Sequence, residues 1–352
     1  MNQFQFHIPI PNSLHQNRQF CTYLPGAYLK PIETNTLEVF HEGMKVKAGI
    51  EKEPQKHGDI TIYYSQDINP DTSFDHEIDE DVILLYDDAG LNYAHFFFDF
   101  FGKCLYFEEI RKTLPKLKIG ILENFYSETG NSTFIKQWLD LYFEDKDVEI
   151  IIFKNNQRYK IKTLILPNSY YWFPEGQGEE YIIKKIMETV SKVPEIEVKS
   201  NGCYISRQDT LKRGWYHGRD LVNEVELIEQ IQNELGYDIV ELMDYDIIGK
   251  IQIFKSYKNI VQQSSASNIG ILFSNSKNTH TIISNPRMAP WLNAKIFKFS
   301  QHTKANLITL DGGGEYLSEE INPNTDAGNY PWKLTNIEGI IEVLKQIDNG
   351  DI

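Results

Sequence analysis

The sequence predicts an α/β protein built from two successive units in which strands alternate with helices. Two kinds of segment carry that reading, and chain length adds a third argument. Short apolar runs such as Val82 to Leu85, Lys118 to Leu122 and Asn259 to Gln262 suit buried strands. Stretches with helical spacing of apolar residues, such as 134–143, 179–190 and 223–235, lie among them. At 352 residues the chain is too long for one ordinary core. This alternation implies a mostly parallel sheet covered on both faces in each unit. The expected boundaries are an N-terminal domain over 1–190, a polar connector over 191–200 containing Pro194, and a C-terminal domain over 201–335. A last helix, within 336–352, is expected to pack back across the domain junction.

Taken in order, residues 1–80 are rich in Pro, Asn and Asp and read as a loop-rich β start. The acidic run Asp75 to Asp81 reads as a solvated lead-in to the strand at Val82. Asp87 to Gly90 is a turn, and Asn92 is a good N-cap for the helix that follows. Strands are expected at 118–122, 148–153 and 160–166, with a helix over 134–143. The aromatic segment Pro167 to Gly178 is a loop able to line a cleft. In the second half, strands are expected at 203–206, 238–242, 259–262, 281–284 and 306–309. Helices are expected at 223–235, stopped by Gly236, at 246–257, at 267–273 and at 337–347.

Hydrophobic residues at 41% and aromatics at 13% are ample for a packed core, which argues against disorder. The formal charge of −15 argues against nucleic acid or an anionic membrane as the main partner, while one local basic pocket suffices for a small phosphorylated ligand. Cys21, Cys104 and Cys203 lie far apart without metal-type spacing, and read as free buried thiols of a reducing compartment. The N-terminus lacks a basic segment followed by an apolar core, and no run reaches the length of a membrane span. The expectation is a cytoplasmic protein, with peripheral association at the inner face of a membrane, in a polysaccharide-assembly complex, left open.

Two clusters carry candidate chemistry. His95 and Asp99 stand at i and i+4 on the helix after the strand at Val82, among five phenylalanines at 96–98, 100 and 101. A titratable pair fixed in aromatic surroundings is what a general base requires. The plainer alternative is a satisfied core histidine and an aspartate paired with a neighbour. The second cluster follows the strand at 203–206. Arg207, Lys212, Arg213 and Arg219 fall within thirteen residues of an acidic chain. Arginine suits a diphosphate because its planar fork donates two parallel hydrogen bonds, and the next helix N-terminus adds backbone donors. Pairing of Arg213 and Arg219 with Asp209 and Asp220 in a solvated loop is the alternative.

Read together, these motifs resemble a known family. They are Asn92 to His95 with three phenylalanines and Asp99, then Tyr204 to Asp209, then Arg219, Leu221, Asn223 and Glu224 before the Gly236-Tyr237 strand. The similarity continues through 242–254 and Ile260-Val261 to Asn268 to Phe273. In this order and spacing they resemble glycosyltransferase family 61, over roughly residues 82–290. The resemblance implies two Rossmann-like domains facing across a cleft (the GT-B type). It also implies an inverting transfer from a nucleotide-sugar donor, expected to be uridine-linked, to a glycan acceptor hydroxyl, with no metal or other cofactor. Members include bacterial capsule and lipopolysaccharide transferases and eukaryotic xylosyl- and N-acetylglucosaminyl-transferases; high Asn, Ile and Lys usage hints at an A/T-rich bacterial or viral genome, and so at a surface polysaccharide.

On that resemblance Asp99, oriented by His95, is the expected base, with the imidazole itself the alternative. Asn92 joins the site; Arg207, Arg213 and Arg219 face the diphosphate; Asn223 and Glu224 hold the arginine loop; Glu241 reaches the nucleoside. Where the family carries a His-Gly-Ala-Gly-type turn, this chain has Ser264 to Ser267. The hydroxyls and turn N–H groups of Ser264, Ser265, Ser267 and Asn268 are then the expected phosphate contacts. A non-catalytic carbohydrate- or nucleotide-binding protein on the same scaffold is the rival reading. A glycoside hydrolase is a weaker one, since it leaves the arginines idle.

Overall fold

The structure, a computed structural model, describes residues 21–33, 36–41, 44–50, 60–65, 73–86, 91, 93–128, 132–167, 177–208, 221–284, 290–311, 314–316 and 332–352. The chain divides into two compact units, Met1–Lys184 and Lys185–Ile352.

The first unit is a mixed eight-stranded sheet. Its strands are β1 (Cys21–Glu33), β2 (Thr36–His41), β3 (Met44–Ile50), β4 (Ile60–Ser65), β5 (His76–Leu85), β6 (Lys118–Leu122), β7 (Ile150–Phe153) and β8 (Tyr159–Pro167), in the order β4-β3-β2-β1-β8-β5-β6-β7. The strands β8, β5, β6 and β7 pair parallel. The antiparallel strands β1 to β4 extend the same sheet from its β8 edge. The described part of the loop-rich start is therefore half of a sheet, which its Pro- and Asn-rich composition hides.

The acidic run at 75–81 is strand from its second residue on, because β5 begins at His76, and is not a solvated lead-in. Tertiary pairing overrides local propensity here. Lysines on both flanking strands meet the acids, Lys160 at 2.6 Å from Glu77 and Lys118 at 2.7 Å from Glu80. The apolar half of β5, Val82 to Leu85, is buried, as are Ile119, Ile121 and Ile165 beside it. Gly120 is required by close approach, since a Cβ there would lie 2.3 Å from the Phe153 ring.

The helix expected after Asn92 is regular only from α1 (Gly102–Arg111), and helices α2 (Thr133–Phe143) and α3 (Gln177–Ser191) follow their expected positions. The segment before α1 differs. Tyr93–His95 is a short α-helical turn, and Phe96–Phe100 is a π-helix closed by the Phe101 N–H donating to the Phe96 carbonyl at 2.7 Å. An i→i+5 closure admits one more residue in the turn, so successive bulky rings fan out toward several neighbours. Phe97 and Phe101 meet Trp138 at 4.8 and 5.5 Å, while Phe100 stacks on Phe125 at 5.3 Å.

The second unit is a five-stranded, wholly parallel sheet. Its strands are β9 (Gly202–Ser206), β10 (Asp238–Glu241), β11 (Asn259–Gln263), β12 (Thr279–Ser284) and β13 (Asn306–Asp311), in the order β10-β9-β11-β12-β13. A small pair, β14 (Glu315–Tyr316) and β15 (Trp332–Lys333), stands apart. The connections carry α4 (Glu224–Leu235), α5 (Ile247–Ser256), a 3₁₀-helix over Ala266–Phe273 and α6 (Pro290–Thr303). Gly236, at φ 65°, closes α4 in the left-handed conformation that glycine adopts freely.

The final helix α7 (Ile337–Asn349), expected to cross the domain junction, has its apolar face in the core of its own unit. Ile340, Ile341 and Leu344 join a buried cluster with Leu227, Ile231, Tyr204 and Val261. Its Asp348 accepts hydrogen bonds from Tyr237, at 2.9 Å, and from Asn259.

Cys104 and Cys203 are free and buried, and burial pushes both thiols well up. His280, at the amino end of β12, is a core histidine held down to about 3 by burial, with Nε2 at 2.6 Å from the Ser274 hydroxyl. Below its ordinary value of 6.5 the unfolded chain takes up a proton that the native imidazole refuses until about pH 3. Stability present above pH 6.5 is therefore lost as pH falls, by up to about 1.4 kcal/mol per pH unit. Urea midpoints of wild type and His280→Gln at pH 7 and pH 4.5 check this: the variant should lose less on acidification, and an equal loss would rule the imidazole out.

Candidate functional site

In the second unit the strand order makes β9 and β11 neighbours, although β10 lies between them in sequence. In doubly wound sheets such a reversal opens a crevice outside the carboxyl ends of the strands, where ligands bind. Here β9 delivers Ser206 and Arg207 to that rim, and β11 delivers Gln263 and Ser264. Glu241 ends β10 in register with Ser206 and is half-buried.

The centre of this rim is Glu224, the first residue of α4 and only 1% exposed. Its Oε1 accepts from the Arg207 backbone N–H at 2.9 Å, the Tyr204 hydroxyl at 3.0 Å and the Gln263 amide at 3.1 Å. Its Oε2 accepts from the Gln208 amide at 2.8 Å. Burial first, and then this carboxylate, push the Tyr204 phenol far up, so it remains a donor. One side chain thus ties the end of β9, the loop beyond it and the end of β11 into one piece. The first turn of α4 consequently carries an anion of its own, where the sequence reading expected backbone donors for a bound anion.

Asn223 has a different duty from the one expected. Its amide donates to the Leu334 carbonyl at 3.0 Å and accepts from the Leu334 N–H at 3.0 Å. The Val222 N–H also donates to the Trp332 carbonyl at 2.9 Å. Asn223 therefore anchors the start of α4 to the segment around β15. Arg207 is half-buried behind β9, whereas Arg213 and Arg219 lie outside the described residues.

The serine turn is held mainly from within. The Ser265 hydroxyl caps the 3₁₀-helix and accepts from the Ser267 N–H at 3.2 Å, while the Ser265 N–H donates to Asn268 Oδ1 at 2.7 Å. The Ser264 N–H donates to the Ile283 carbonyl and the Asn268 N–H to the Ser265 carbonyl. The Ser267 hydroxyl donates to Gln262 Oε1 at 3.0 Å. The N–H groups assigned to phosphate from sequence are thus spent inside the protein. What remains is the Ser264 hydroxyl and the Gln262 Nε2 amide, both buried without a hydrogen-bond partner among the described residues. Such groups cost about 1–3 kcal/mol each when left unmet, so they have capacity for a ligand.

In the first unit His95 closes the short helical turn and is half-buried, and Asp99 lies inside the π-helix. Asn92 lies outside the described residues. The neighbouring rings Phe98 and Phe100 are buried. Lys103, which the sequence analysis did not single out, is 7% exposed and donates to the Tyr86 carbonyl at the carboxyl end of β5. The signal was available, for a lysine inside the buried face of an apolar helix needs a partner. Gln262 and Gln263 were missed likewise; a polar pair ending a central, fully buried strand is their signal.

Fold and rim together define the class of protein, an α/β chain whose second unit has the strand-order reversal at which sheets of this kind bind ligands. The profile of the glycosyltransferase 61 family matches residues 93–282, more than half of the chain and inclusive of both clusters. The chain belongs to that family and is a glycosyltransferase, acting between a sugar donor and an acceptor. No curated protein matches the sequence. Among the described residues no helix is long and apolar enough to cross a membrane.

Proposed function

We propose that the chain moves a sugar from a nucleotide-sugar donor, uridine-linked by expectation, to a hydroxyl of a glycan acceptor, with inversion and without a divalent ion. The setting we assign is surface polysaccharide assembly at the cytoplasmic face of a membrane. In this reading the chain is of the two-domain GT-B type, with Asp99 serving from the first unit and the rim residues from the second. The carrying observation is the β9/β11 rim, where adjacent strand ends bring Arg207, Glu241 and Ser264, whose hydroxyl has no partner among the described residues, to one edge of the sheet.

Each residue then has a task. The acceptor oxygen attacks the anomeric carbon as its proton passes to Asp99, oriented by His95, and the bond from that carbon to the diphosphate oxygen breaks. Arg207, Arg213 and Arg219 neutralise the departing diphosphate. Glu224 fixes Arg207 through its backbone, Glu241 takes the ribose, and Ser264 with Gln262 supplies neutral donors.

Nucleoside-diphosphate release from a panel of activated sugars, with chelator present, tests the proposal. Release that stops with the chelator would remove the metal-free mechanism, and no release from any donor would leave only binding. Arg207→Ala should weaken nucleoside-diphosphate binding about tenfold or more by calorimetry, the scale of a lost charge-assisted hydrogen bond. Unchanged affinity counts against its role.

A further inference from the structure

We propose that a cavity at the carboxyl end of β6 receives the acceptor, and that the sugar it receives is uncharged. The inference rests on the transferase reading above and gives the acceptor a chemical class. The cavity has a volume of about 560 Å³ and is lined by Glu123, Asn124, Tyr126, Ser127, Glu128 and Ser132. That is within the range of small-ligand sites. It opens where β6 ends, beside β5, in the first unit. The 3₁₀ turn Glu123–Phe125 that forms one wall is held to the π-helix, because Phe125 stacks on Phe100 at 5.3 Å and meets the edge of the Tyr86 ring at 6.0 Å. Phe100 directly follows Asp99, so the wall and the candidate base share one rigid aromatic support.

The lining has the chemistry of a polyol site. Carboxylates accept from sugar hydroxyls, amides donate to them, and a tyrosine ring offers an apolar face to sugar C–H groups. The two carboxylates are held in place: Glu123 Oε1 accepts from the Asn155 N–H at 2.8 Å, and Glu128 is 3.2 Å from the Lys136 ammonium. Two further groups have bonding capacity in hand. The Asn124 Nδ2 amide is buried with no hydrogen-bond partner among the described residues. Ser132 is 5% exposed, stands at the N-cap of α2 and makes no capping bond to it. Lys136 stands beside the lining, 3.2 Å from Glu128, 2.6 Å from Asp140 and over the Tyr126 ring; its single charge is already met by two carboxylates, so with Glu123 a phosphate or uronate would meet net negative charge.

The test uses the full chain and defined probes: methyl glycosides of glucose, galactose and N-acetylglucosamine, with glucuronate and glucose 6-phosphate as anionic counterparts. Saturation-transfer NMR should show binding of one or more neutral glycosides and of neither anion. Asn124→Leu should weaken that binding about tenfold or more, the scale of a lost buried hydrogen bond, and leave thermal stabilisation by nucleoside diphosphate unchanged. Ser132→Val, which removes only the hydroxyl, should weaken it about threefold, and it decides the matter should leucine at 124 unfold the turn. The proposal is overturned if both variants bind glycosides as wild type does, if the anions bind best, or if no glycoside binds a protein that nucleoside diphosphate stabilises. Variant-sensitive glycoside binding without any response to nucleoside diphosphate would support the cavity and count against the donor reading.

Discussion

Asp99→Asn is expected to reduce turnover by about 10²–10⁴-fold while leaving nucleoside-diphosphate affinity within experimental error. The range is what general-base catalysis contributes when proton transfer accompanies bond formation. The amide keeps the shape of the carboxylate and cannot take the acceptor's proton. Donor binding should be spared because the diphosphate contacts proposed above belong to the second unit. The backbone supports a fixed position: Asp99 lies in a π-helix between buried Phe98 and Phe100, and the buried Lys103 ammonium fixes the following turn to the end of β5. Single-turnover rates with saturating donor check the prediction. Normal turnover in Asp99→Asn refutes the assignment, and a larger loss in His95→Gln transfers the role to the imidazole.

Glu224→Ala is expected to lower folding stability by about 3 kcal/mol and, in the same variant, to weaken nucleoside-diphosphate binding. Truncation leaves the Tyr204 hydroxyl, the Arg207 N–H and the Gln208 and Gln263 amides without their acceptor at a site 1% exposed. Each orphaned buried donor costs about 1–3 kcal/mol, and entry of water recovers part of the sum. Glu224→Gln should cost nearer 1 kcal/mol, since its carbonyl still serves the three donors on Oε1 and the Gln208 amide can turn to meet the new N–H₂. Urea unfolding with an unchanged slope, together with calorimetry, separates the two effects. An alanine variant as stable as wild type would show that Glu224 does not hold the rim.

Much of the second unit was legible because its signals are local. Buried β-type runs marked β9 to β12, Gly236 ended α4 as its left-handed conformation requires, and Asp246 caps α5 by accepting from the Gly249 N–H at 2.7 Å. The first unit was legible only in part. Its charge run at 75–81 reads as loop until the lysines of β6 and β8 are beside it. The π-helix was not foreseeable from spacing, because five phenylalanines in six positions satisfy an α-helix equally well until the partners of each ring are known. The serine turn illustrates the same limit, since its N–H groups read as available and are spent on one another and on β12.

By itself, then, the sequence determined the alternation of strands and helices, the family, and two polar clusters in an acidic chain. These follow from periodicity, capping and residue order, which act over a few residues at a time. Tertiary structure decided that β1 to β4 extend the first sheet, that α7 belongs to the second unit, and that Glu224 gathers donors from residues 204 to 263. Those outcomes depend on which strands become neighbours. Strand order is set by burial of whole faces, so no local pattern announces which buried polar groups will meet.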